Sequence, residues 1–171
     1  MYNTISRLSF YAILTAVFLI QATVLEYIKV AGAKPDLIFL LVIFFSLFFG
    51  AKTGIEAGFV SGLLKDIYSL DVFGINTITL ALTGLIAGIL SPKFFKESAL
   101  TQFTLVFAFA LLSMLVHFTA SLLILKTDYI SLSEYLWALM IPSSLYTALA
   151  SFAIFPILIS RYRLKEQEDY L

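Results

Sequence analysis

The sequence predicts an all-α integral membrane protein with six transmembrane helices in one bundle. Three observations lead there. Of the 171 residues, 61% are hydrophobic and 13% charged, and the mean hydropathy is +0.99. That is more apolar surface than a soluble domain of this size can cover. The apolar residues gather in six runs parted by short polar breaks. The runs lack the alternation of a membrane barrel, so each satisfies its backbone as a helix.

The first run, about 8–27, follows a single basic residue, Arg7, and continues past Ala22. A cleavable leader has a shorter apolar core, so this is read as an uncleaved span. The second, about 36–49, opens with Pro35 in the first turn and Asp36 at the positive helix end. Its length, roughly 21 Å, is short for a ~30 Å hydrocarbon core. Helices two and three are therefore expected to form a hairpin shielded by neighbours. Gly50 stands where helix two stops, a common glycine role. The third run, about 54–70, opens on Thr53-Gly-Ile-Glu56, which reads as a capping box. The fourth, about 75–90, ends at Ser91-Pro92. The fifth spans about 99–125. The sixth, about 132–159, opens on a second capping box, Ser131 with Glu134. Pro142 is expected to kink it, with Ser143 and Ser144 bonding freed carbonyls. Residues 160–171 form a tail, and 1–171 a single polytopic membrane domain.

An even number of spans puts both termini on one side. With the termini in the cytoplasm, the inner side holds Arg7, Lys52, Lys93, Lys96, Arg161, Arg163 and Lys165. The outer side holds Lys29, Lys34, Lys65 and Lys126. This bias follows the positive-inside rule. Tyr27, Tyr68, Tyr129, Tyr135 and Trp137 then form an outer aromatic belt.

Several classes of function are disfavoured. The net charge is zero, which gives no basis for nucleic-acid binding. There is no cysteine, hence no thiol chemistry or disulfide. The single histidine, His117, cannot build a metal cluster alone. It is expected to bond a neighbouring helix, with a proton-relay or ligand role as the rival. No catalytic triad, phosphate loop or paired-carboxylate motif stands out, so neither an enzyme nor a cofactor is expected.

Two groups of residues could carry function. Gly54, Gly58 and Gly62 recur every fourth position and make one slanted strip on helix three. Gly84 and Gly88 repeat the spacing on helix four, near Ala81 and Ala87. Such strips let helix backbones approach closely. Here they serve either packing of helices three and four or docking of a partner's membrane helix. The second group is Asp36, Lys65 and Asp66, at the outer end. A Lys65–Asp36 pair, with Asp66 joining a polar network, offsets charges that are costly at membrane depth. It is read as an outer-interface anchor or as a partner contact, and less readily as a proton-coupled site.

The stretch from Lys34 to Gly88 also carries a family resemblance. A Pro-Asp pair opens an apolar helix, then come a glycine, G-F-x-x-G-L-x-x-D, and a further glycine before the next span. Pro35-Asp36, Gly50, Gly58-Phe59, Gly62-Leu63, Asp66 and Gly74 hold those positions. This resembles the bacterial rod-shape-determining MreD family. The resemblance implies a non-enzymatic component of the bacterial cytoplasmic (inner) membrane, acting in cell elongation. Members work with MreC, which has one membrane span and a periplasmic domain. The wider assembly holds the actin-like MreB filament, the glycosyltransferase RodA and its partner transpeptidase. The implied role is to position or activate side-wall peptidoglycan synthesis, with membrane lipid as a further partner. The family's fold is similar to the substrate-binding subunits of energy-coupling-factor vitamin transporters. Ala12-x-x-x-Ala16 on helix one resembles the small-residue pair such subunits use. A vitamin-uptake subunit is therefore the alternative. A vitamin site needs several convergent polar groups, and the chain has only Asn3, Asn76, Gln21, Gln102 and Gln167 as amides.

Overall fold

The structure is a computed structural model that describes residues 7–23, 33–69, 73–94, 98–125 and 132–168. Its elements are helical: α1 (Arg7–Thr23), α2 (Leu37–Phe49), α3 (Ala51–Tyr68), α4 (Ile75–Leu90), α5 (Ala99–Leu125), α6 (Leu132–Tyr135) and α7 (Ile141–Glu168). A 3₁₀ turn, Ser91–Lys93, closes α4, and a π turn, Leu136–Met140, joins α6 to α7. Among the described residues, three helical stretches are long and apolar enough to cross a membrane: Ile75–Lys93, Ala99–Ala120 and Ser133–Arg161. Helices α1 and α2 are apolar but shorter.

Helix α2 is the centre of the bundle. Its sequence, LIFLLVIFFSLFF, is apolar on every side, the pattern of a helix surrounded by others. Each residue from Ile38 to Phe48 is buried, and α2 packs against α1, α3, α4, α5 and α7. Lipid tails are as apolar as leucine, so burial from water does not drive this assembly within a bilayer; close packing does. Aromatic edges supply much of it. Phe45 meets Phe10 of α1 at 4.9 Å between ring centres, and Phe44 meets Phe155 of α7 at 5.6 Å. The one polar side chain inside α2, Ser46, donates its hydroxyl to the Val42 carbonyl.

The turn between α2 and α3 is a single residue. Gly50 adopts φ +87°, a left-handed conformation open to glycine. Its N–H bonds the Ser46 carbonyl and closes α2, while its own carbonyl accepts from Gly54 at 3.0 Å to open α3. This corrects the capping box expected at Thr53 and Glu56. Helix α3 begins three residues earlier than that motif requires, with Gly50 as its N-cap and no side-chain cap. Thr53 already lies in the first turn, where its hydroxyl donates to the Phe49 carbonyl at 3.5 Å. Glu56 instead accepts a hydrogen bond from the Tyr11 hydroxyl of α1.

The last helical run also departs from expectation. Pro142 has no N–H, and the backbone accommodates it with the π turn just before it, where the Ile141 N–H reaches back to Leu136. Ser144 does not bond a freed carbonyl; its hydroxyl points to Met114 Sδ at 3.7 Å. Helix α7 contains a second proline, Pro156, and runs to Glu168, so most of the expected tail is helical. The second capping box rests on Ser131, which lies outside the described residues; Glu134 sits in the first turn of α6.

Candidate functional site

The glycine strips face each other across the α3–α4 seam. A Cβ at Gly58 would strike the Leu80 carbonyl, and one at Gly62 would strike the backbone of Thr77. Gly54 and Gly84 meet each other, and Gly88 lies against Ala51. Each of the five is thus consumed by backbone-to-backbone contact inside the protein. Helix α4 occupies the face that a partner helix would have needed.

Asp66 continues this seam. It is 2% exposed and joins a polar network, as the sequence suggested, but one at the head of α4 and separate from the Lys65–Asp36 pair. Its Oδ1 accepts from the Asn76 backbone N–H and side-chain Nδ2, both at 3.0 Å. Its Oδ2 accepts from the Thr77 N–H at 2.9 Å and from the Thr77 hydroxyl. Gly74, at the head of α4, has no side chain to cap with. A carboxylate from the end of α3 does that work, placing negative charge at the positive end of α4. The two carboxylates part company for a directional reason. Lys65 and Asp66 are successive residues, set about 100° apart around the helix, so they face different neighbours.

Lys65 and Asp36 form a charge pair at the other edge of α3. The pair belongs to a polar clasp around the start of α2. Asp36 Oδ1 accepts from the Phe39 N–H at 3.0 Å, capping α2, and from Gln21 Nε2 of α1 at 3.1 Å. Gln21 Oε1 accepts from the Ile38 N–H at 2.9 Å. The Asp36 N–H donates to Thr147 Oγ1 of α7 at 3.0 Å. Side chains from α1, α3 and α7 therefore converge on the first turn of α2, where the N–H groups of Asp36, Ile38 and Phe39 each find a side-chain acceptor. Gln21 and Thr147 escaped the sequence reading. Each is a buried polar residue in an apolar run, which is the signal that could have marked them.

Beside the clasp lies a cavity of about 300 Å³. Its lining includes Asp36, Lys65, Lys34 and, at the head of α4, Asn76. Ser113, Met114 and His117 of α5 and Ser143 of α7 line it as well. His117 thus belongs to the cavity wall. Among the described residues, no group of three or more His, Asp or Glu side chains is arranged to hold a metal ion.

Apolar helices of spanning length, packed round a wholly buried short helix and sealed by a polar clasp at one end, define a helical membrane protein. The family model described as rod shape-determining protein MreD matches residues 2–165. The chain belongs to the MreD family, and its role lies in the determination of rod shape. No curated protein and no solved structure matches it.

Proposed function

We propose that the protein is a non-enzymatic scaffold of the rod-elongation machinery in the bacterial inner membrane. In this reading it crosses the membrane six times with both termini in the cytoplasm, in a bundle like that of the vitamin-transporter subunits. It binds MreC directly and, through the wider complex of MreB, RodA and its transpeptidase, helps position or activate side-wall peptidoglycan synthesis. The observation that carries this reading is the family match over residues 2–165. The same match favours it over the vitamin-uptake alternative.

In this reading MreC binds away from the glycine seam. The glycine seam is filled by α3 and α4, and Asp66 is spent on capping α4, so the contact falls on other surfaces. The outer row of α4, with Ile78 and Ile89 exposed, is one such surface. The test is affinity purification from native membranes followed by identification of what is retained. Recovery of MreC with wall synthases supports the scaffold. Recovery of ATPases with a coupling membrane subunit, or of a bound vitamin, would overturn it.

A further inference from the structure

We propose that the cavity beside the α2 clasp binds an uncharged polyol, the chemistry of a sugar unit. The first argument is charge. The ionic groups of the lining are already engaged. Lys65 pairs with Asp36, whose carboxylate also accepts from Gln21 and the Phe39 N–H, and Lys34 has an interaction of its own. A charged ligand would have to break one of these contacts at membrane depth, where a stranded charge is costly. An uncharged ligand leaves them intact.

The second argument is the neutral groups. Ser144, which lines the cavity, is 1% exposed. Its hydroxyl nevertheless reaches only Met114 Sδ, at 3.7 Å, and a thioether is a weak acceptor. A buried hydroxyl so poorly served is rare. Asn76 spends one Nδ2 hydrogen on Asp66; its second hydrogen and its Oδ1 are left for other partners. Ser113 and Ser143 add two hydroxyls. The lining thus offers donors and acceptors together. An anion brings acceptors only and a hydrocarbon brings neither, whereas each hydroxyl of a polyol both donates and accepts. Phe39, Ala110 and Tyr135 complete the lining with apolar surface, which suits the C–H faces of a sugar ring. The Tyr135 ring is held by stacking on Phe118, with 4.6 Å between ring centres. A volume of about 300 Å³ is at the small end for ligand sites and suits one ring rather than a chain of sugars. Asp36 and Asn76, at the heads of α2 and α4, place the cavity at an end of the bundle. A glycolipid headgroup and a soluble sugar share this chemistry there.

The test uses the full chain in phosphatidylcholine nanodiscs, with monoglucosyl diacylglycerol added, and separately with free glucose. The glycolipid should raise the unfolding midpoint by a few degrees and remain bound in native mass spectrometry. Ser144→Ala, which removes the poorly served hydroxyl, and Ser113→Leu, which fills the cavity, should each weaken that binding about fivefold or more. Lys52→Gln, at the opposite end of α3, should retain it. Should one cavity variant fail to fold, the other carries the comparison. A shift produced by glucose alone would keep the site and make a soluble sugar its source. Displacement of the glycolipid by phosphatidic acid, which is charged and carries no sugar, would overturn the proposal. So would the absence of a shift with either probe, which leaves the cavity to water, and a glycolipid effect that survives both cavity variants.

Discussion

Asp66 shows how much one side chain can hold. Its two carboxylate oxygens receive four donors from the head of α4 while almost wholly out of solvent. Asp66→Ala strands two backbone N–H groups and should cost about 2–3 kcal/mol, measured as the loss of unfolding free energy in detergent. Asp66→Asn, which keeps an acceptor, should cost less; equal costs would contradict the capping role. The Lys65–Asp36 pair is tested by a double-mutant cycle with Asp36→Asn and Lys65→Met. A partly shielded pair of this kind should show a coupling energy of about 1–3 kcal/mol. Additive effects would mean that the ion pair contributes nothing to the clasp. That Lys65 and Asp36 could meet was legible in the sequence from their shared end of the membrane. The destination of Asp66 was not, because it depends on which side of α3 faces α4.

Among the elements, the α2–α3–α4 unit depends on its glycines for two separate reasons. Gly50 is needed for its backbone angle and has open space around it, whereas Gly58 has an ordinary angle and no space. Gly50→Ala should cost about 1–3 kcal/mol through backbone strain alone, because φ +87° with ψ 179° is a region that glycine alone enters readily. Gly58→Ala should cost about 1–3 kcal/mol for the other reason, because the backbone of α4 must move. Thermal unfolding measures both costs, and a Gly58→Ala variant as stable as the wild type would refute the seam. The four-residue glycine period made the seam visible in the sequence. The hairpin of helices two and three was visible too, from the shortness of its first arm. The capping box at Thr53 failed for a local reason: the left-handed Gly50 starts α3 at once, so the hydroxyl meant to cap it is already inside the helix.

At the scale of the whole molecule, the all-helical class followed from composition and run length. The buried centre was anticipated only as a shielded hairpin, from the shortness of helix two; the uniform greasiness of residues 37–49 was the further signal for burial on every side. The clasp and the cavity did not follow from composition, since Gln21, Asp36, Lys65 and Thr147 lie far apart in sequence and meet only when four helices pack. The proposed orientation puts this polar end outside and the charges of Lys52 and Arg161 inside. An enzyme reporter fused after Lys165 should be active in the cytoplasm; periplasmic activity would invert the bundle and place the clasp on the inner side.

The central claim is that this membrane bundle determines rod shape, and the cell itself reads that out. Depleting the protein from its rod-shaped host, with length and width measured cell by cell, should turn rods into rounded cells. Re-expression of the wild-type chain should restore them. Cells that keep their rod proportions after the protein is gone would contradict the account.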